Sequence, residues 1–187
     1  MSINRPTLMK VHTLLAVFLL PVAIMFFVTG ALYIWDVKGG EEKNNYTLNI
    51  KSSFSGELSE YILITENKLK ELSLPRPTGK PKIKIKYGKT IFEWSGSSVE
   101  TKVEINLKQL TAKLEVKKAS WYRHLVQLHK AKGGFLFKVY ATILSVALLI
   151  LLLTGFIMAW QMPKLRKLTV ISTLSGFSIF LLLVIYS

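Results

Sequence analysis

Half of the 187 residues are apolar, none is cysteine, and the 25 lysines and arginines exceed the 11 acidic residues by 14 charges. Without cysteine there are no disulfides, thiolate metal sites, iron–sulfur clusters or covalently attached c-type haem. The positive charge invites a nucleic-acid partner, but the apolar residues are gathered in membrane-length runs and a translocated segment seldom meets nucleic acid. Anionic lipid headgroups, an acidic partner, an anionic ligand or plain solvation of a lysine-rich sheet are the counterparts left.

From Thr13 to Trp35 there is no charged residue, and Leu14 to Ile34 alone supplies the roughly 20 residues that cross a hydrocarbon core of about 30 Å. The run is too long for a signal peptide, and the aromatic pair Tyr33 and Trp35 stands where a small-residue cleavage site belongs, so it is expected to stay as an anchor. Pro21 inside it is tolerable, because membrane helices re-satisfy the freed carbonyl locally.

Beyond Gly39 and Gly40 the pattern predicts a polar linker, then a β-like stretch from Tyr46 to Ile50. Glu57 to Leu72 spaces Leu58, Tyr61, Ile62, Ile64, Leu69 and Leu72 at helical intervals, and Pro75, Pro77 and Pro81 are expected to stop that helix. Lys82 to Tyr87 alternates lysine with isoleucine, Gly88 and Lys89 read as a turn, and Thr90 to Trp94 follows as a strand. Ser95, Gly96 and Ser97 make the next turn, Val99 to Leu107 alternates again, and Leu114 with Val116 marks one more strand. Helix followed by a meander of about four strands is a small α+β module, and one this size buries little apolar area by itself.

A helical pattern resumes over Trp121 to His129, with Gly133 and Gly134 expected to break or bend it at the interface. Two further membrane-length runs, Val139 to Trp160 and Leu168 to Tyr186, complete three crossings. Arg5 and Lys10 precede the first, and Lys164, Arg166 and Lys167 fill the short connection between the last two, so the N-terminus and that turn are expected in the cytoplasm and residues 36–132 outside it.

Two of the membrane runs carry the same pattern: Thr29-Gly30 with Trp35 five residues on, and Thr154-Gly155 with Trp160 five residues on. Glycines at such points permit close helix approach. A histidine precedes each copy, His12 and His129. With His12, an apolar run and Thr29-Gly30 in one helix, and Leu128-His129, the bend at Gly133-Gly134 and Leu153-Thr154-Gly155 in the next, the chain resembles the PepSY-associated transmembrane helix family. The apolar runs and the alternation predict a membrane protein, mostly α, with three transmembrane helices and a small α+β extracytoplasmic module, which the resemblance implies is PepSY-like. The chain departs from the family's larger members in having three crossings rather than four or more, and fewer histidines. The expected boundaries are residues 1–12 cytoplasmic, 13–35 the first helix, 36–132 the module, 135–160 the second helix, 161–167 a cytoplasmic turn and 168–187 the third helix. The resemblance also implies a multi-pass protein of the bacterial inner (plasma) membrane, similar in its larger members to ferric-siderophore reductases with membrane haem b.

For haem, the resemblance implies His129 and His12 as iron ligands; His124, the third histidine, is a further candidate cofactor-binding residue that no family motif selects. His12 lies at the inner end of the first helix and His129 at the outer end of the second, so about 30 Å of bilayer keeps them from one iron. His124 and His129 are five apart on one helix, with side chains about 140° apart, so they cannot sandwich a haem either. A homodimer, another membrane protein as partner, or five-coordinate iron would each answer this. Tyr33 and Trp35 are expected to form one wall of the outer site, with Lys130 or Lys132 meeting a propionate. Against this redox role stands a non-catalytic one, a membrane anchor or assembly subunit whose module binds a protein. No nucleophile is placed beside a base, and no glycine-rich phosphate loop is present in the sequence.

Overall fold

The computed structural model describes residues 4–50, 52, 54–86, 89–106 and 109–187. The chain forms two compact units, residues 1–23 with 142–187, and residues 24–141. Three helices are long and apolar enough to cross a membrane: α1 (Arg5–Ile34), α4 (Phe135–Gln161) and α5 (Pro163–Tyr186), the last two separated only by Met162. They are apolar around their whole circumference, as a helix must be when lipid rather than water is its surroundings. The chain is therefore a multi-pass membrane protein.

In the first unit the buried residues are few. Among the described residues they are Leu19, Val22 and Ala23 on α1 and Leu144, Ala147 and Thr154 on α4, and α5 buries none. Helix α1 starts at Arg5, eight residues before the expected span, because the polar turns ahead of Thr13 continue the helix without needing hydrocarbon around them. The expected turn over 161–167 is likewise shorter. Pro163 opens α5 at its first position, where the missing N–H is no loss, so Lys164, Arg166 and Lys167 lie in its first turns. The Arg166 Nε donates back to the Trp160 carbonyl at 2.8 Å across that break.

In the second unit, five antiparallel strands lie in the order β1-β5-β4-β3-β2: β1 (Glu41–Asn49), β2 (Lys82–Lys86), β3 (Lys89–Trp94), β4 (Val99–Asn106) and β5 (Thr111–Ala119). The helix α2 (Leu58–Glu71) covers one face, burying Tyr61, Thr65 and Leu69. Alternation fixes the opposing set: Val99, Thr101 and Val103 on β4 and Ala112, Leu114 and Val116 on β5 are buried. Phe92 stacks on Tyr61 at 5.3 Å between ring centroids, and Trp94 Nε1 donates to the Gly79 carbonyl at 2.8 Å.

Three features differ from expectation. β1 begins at Glu41 rather than Tyr46, and pairs with β5 along its whole length from Glu41 opposite Ala119 to Asn49 opposite Thr111. Its first residues are exposed, so the partner strand's backbone, not an alternating apolar pattern, holds them extended. Lys89 is a strand residue paired with Lys86, not a turn residue. Helix α2 ends before its prolines, through a left-handed Ser73 (φ 53°) with the Leu74 N–H bonded to the Leu69 carbonyl and the Ser73 N–H to that of Lys70. The strand ends expected at Tyr87 and Leu107 and the turn at Gly88 lie outside the described residues.

On the sheet face away from α2, four lysines pair with glutamates. Lys43 pairs with Glu115 at 2.7 Å, Lys84 with Glu93 at 2.5 Å, Lys102 with Glu104 at 2.8 Å and Lys117 with Glu41 at 3.2 Å. Each such half-exposed pair is worth about 1 kcal/mol at most, so they keep the face soluble while the apolar layer holds the module together. Leu114 sits fully buried at the centre of that layer. Leu114→Ala is expected to cost about 2–5 kcal/mol, read as an earlier loss of strand signal in a thermal melt followed by circular dichroism, with the helical signal of α1, α4 and α5 persisting.

Candidate functional site

The short helix α3 (Trp121–His129) delivers His129, its last residue. Ser120 caps its start, the Oγ accepting from the Arg123 N–H at 3.2 Å. Arg123 also reaches Glu41 at 3.3 Å and the Lys38 carbonyl at 3.3 Å, and the Tyr122 hydroxyl donates to the Val37 carbonyl at 3.0 Å. Gly39 makes this approach possible: it is left-handed (φ 74°), and a Cβ on it would stand 2.8 Å from the Arg123 nitrogen. Burial opposes ionisation of Glu41, yet Lys117 and Arg123 together hold its carboxyl below the usual carboxylate range. A carboxylate whose affinity for protons is lowered by folding contributes above that range and loses its contribution as pH falls through it, so the tie between α3 and β1 weakens in acid.

The chain leaves α3 by a tight reversal. Ala131 is left-handed (φ 56°), its N–H bonded to the Leu128 carbonyl at 2.9 Å and that of Lys132 to the Gln127 carbonyl at 3.0 Å. Neither Gly133 nor Gly134 takes the left-handed position expected of the break. Gly133 is instead needed for space, since a Cβ there would meet the Leu128 and Phe137 side chains at 2.9 Å.

This arrangement sets the His129 ring on α1. Its Nδ1 is hydrogen-bonded to the Thr29 Oγ1 at 3.0 Å, and that hydroxyl lies 2.6 Å from the Met25 carbonyl one turn back in its own helix. Gly30 is the floor: an added Cβ would stand 3.2 Å from the ring's Cε1. The Phe26 ring lies beside the imidazole, 4.9 Å between centroids and tilted by 32°, and is itself stacked on Phe137 at 6.4 Å.

The first unit repeats the same chemistry. His12 Nδ1 is hydrogen-bonded to the Thr154 Oγ1 at 2.8 Å, and that hydroxyl lies 2.8 Å from the Ile150 carbonyl. Gly155 is the neighbour here too, with a looser fit, an added Cβ being 3.8 Å from the His12 Cε1. The histidine preceding each copy of the motif therefore docks on the Thr-Gly of the other copy. Among the described residues no protein group is bonded to Nε2 of either ring.

His124 belongs to neither arrangement. It sits in the middle of α3 with a buried Nδ1 that has no hydrogen-bond partner among the described residues. Lys130 holds its ammonium 5.4 Å from the Tyr33 ring centroid and 3.4 Å from that hydroxyl, and has no acidic partner among the described residues. Lys132 is paired with Glu100 instead. Tyr33 thus meets lysine rather than His129, and Trp35 is 82 % exposed, so the expected wall for the outer site is supplied by Phe26. Phe26 precedes Thr29 by three residues, one helical turn, and that spacing was the signal available for it. No group of three or more His, Asp or Glu side chains placed to hold a metal ion occurs among the described residues.

Over residues 3–162 the chain matches the family model described as the PepSY-associated TM region. No curated protein matches it, and no solved structure does.

The two glycines differ in what they tolerate. Gly155→Ala should be accommodated, its detergent melting temperature unchanged or slightly raised by the better helix former. Gly30→Leu should displace His129 and lower the melting temperature by several degrees. Equal behaviour of the two variants would contradict the close fit at Gly30.

Proposed function

Since the chain belongs to the PepSY-associated transmembrane family, we propose that it is a haem-carrying electron-transfer subunit of the bacterial inner membrane, resembling ferric reductases in role. The observation that carries this reading is the pair of imidazoles, each hydrogen-bonded through Nδ1 and each with an Nε2 that no protein group among the described residues engages. In sequence, Thr29 lies seventeen residues beyond His12, with the apolar run between them. Two redox centres at two depths are what passage of electrons across a bilayer requires.

The donor set suits haem b. Neutral imidazole is its ordinary axial ligand, and a ligating histidine usually has its other ring nitrogen hydrogen-bonded. His129 would hold the group at one level with Phe26 beside it and Lys130 available to a propionate. His12 would hold it at the other. When bound, haem supplies one-electron oxidation and reduction. The chain's own residues orient the imidazoles, and the apolar helices exclude water around them.

Each level offers a single imidazole, so any second protein ligand would come from a second copy of the chain or from another membrane protein, and five-coordinate iron would need none. The basic flanks at Arg5, Lys10, Lys164, Arg166 and Lys167 support a cytoplasmic N-terminus, with the α+β module, read as PepSY-type, on the far side facing an acceptor such as a ferric chelate. A second reading, a non-catalytic assembly subunit, draws support from α5, none of whose residues is buried within the chain.

Haem content of the purified membrane protein, measured as the pyridine haemochrome after expression with added haem precursor, separates the two. The redox reading expects a Soret band, loss of one centre in His129→Ala and of the other in His12→Ala, and little change in His124→Ala. Absence of haem from the parent would refute it and favour the assembly role. A phosphatase reporter inserted after Ser98, in the β3–β4 turn, is expected to be active. A reporter that works there only in the cytoplasm would reverse the topology.

A further inference from the structure

We infer that Thr29 and Thr154 act as tautomer locks: each forces its partner histidine to carry the ring proton on Nδ1 and so to present the Nε2 lone pair. The argument starts from the oxygens. Thr29 Oγ1 lies 2.6 Å from the Met25 carbonyl oxygen, and Thr154 Oγ1 lies 2.8 Å from that of Ile150. Two oxygens that close repel unless a proton lies between them, and a carbonyl has none to give. The hydroxyl's one proton is therefore spent on its own helix. This is the usual choice of a threonine in a membrane helix, where no water competes for the carbonyl one turn back.

With its proton committed, the hydroxyl can only accept from the imidazole. Hence at 3.0 Å for His129 and 2.8 Å for His12, the Nδ1–H is the donor. A histidine side chain in water favours the opposite form, with the proton on Nε2. The lock works against that preference, and does so twice with the same three parts: a carbonyl one turn back, a threonine hydroxyl and an imidazole.

His124 is the comparison within the molecule. It has no acceptor at its buried Nδ1 among the described residues, so nothing holds a proton there.

The tautomer follows from geometry alone. Its consequence for a ligand rests on the haem reading: with Nε2 directed to iron, an acceptor at Nδ1 makes the imidazole a stronger donor and favours the oxidised metal. Thr29 and Thr154 are accordingly positioning residues. They touch no ligand, and they decide which nitrogen does.

The test is made first without haem. In protein labelled with nitrogen-15 in its histidines and held in detergent micelles, imidazole nitrogen spectra are expected to show protonated Nδ1 and unprotonated Nε2 for His12 and His129, and protonated Nε2 for His124. Thr29→Val, close in shape but lacking the hydroxyl, should shift His129 alone toward the Nε2-protonated form, and Thr29→Ser should restore the parent spectrum. Protonated Nε2 at His12 or His129 in the parent, or the same form at all three histidines, would overturn the inference. In haem-loaded protein, Thr29→Val should weaken retention at one centre about tenfold or more and raise its midpoint potential, while Thr29→Ser leaves both near the parent. If the tautomers are as expected and the parent binds no haem, the haem reading fails and the lock stands.

Discussion

A threonine hydroxyl in a membrane helix has a single proton and, in hydrocarbon, no water to share it with. That constraint organises the functional part of this chain. The Thr29 and Thr154 hydroxyls donate to the carbonyls of Met25 and Ile150, and each hydroxyl oxygen is left as an acceptor on the helix surface. Beside each stands a glycine, Gly30 or Gly155, over which a flat ring can approach. The imidazoles of His129 and His12 meet those requirements in shape and in hydrogen bonding. Neither requirement involves charge, so the pairs can sit among apolar residues without the cost of burying an ion.

The surroundings serve to bring the rings there. His12 meets Thr154 and Gly155 of α4 directly from its place on α1. His129 needs a short helix, a capped start at Ser120, a left-handed residue at Ala131 and the ties of Tyr122 and Arg123 to the chain after α1. The α+β module contributes through Glu41, whose carboxylate accepts Arg123 from the first residue of β1. Its own stability comes from the apolar layer between α2 and the sheet, and four of its lysines pair with glutamates on the opposite face.

Much of this was legible in the residues. The three crossings, the helix near Glu57 to Leu72 and the strands from Lys82 onward follow from hydrophobic period, which is set locally. The start of β1 is not legible there, because residues 41–45 carry no alternation; their strand state depends on β5, about seventy residues away in sequence. The helix ends were misattributed for a related reason. Ser73 and Ala131 adopt left-handed backbone that glycine or proline rules do not predict, and the hydrogen bonds that stabilise them are backbone bonds. At the candidate site, the repeated Thr-Gly and the two histidines were visible as motifs. Their exchange of partners was not, because a pattern along the chain does not say which helix faces which. Phe26, one turn before Thr29, was missed among many apolar neighbours.

The claim on which the rest depends is that each histidine is bound to its threonine, and a double-mutant cycle on thermal stability in detergent measures this directly. For His129→Ala with Thr29→Val, and for His12→Ala with Thr154→Val, the predicted coupling is about 0.5–1.5 kcal/mol, as for a hydrogen bond between buried polar groups. His124→Ala with Thr29→Val, which share no bond, should be additive within about 0.3 kcal/mol. Additivity in both histidine–threonine pairs, or equal coupling in all three, would contradict the account.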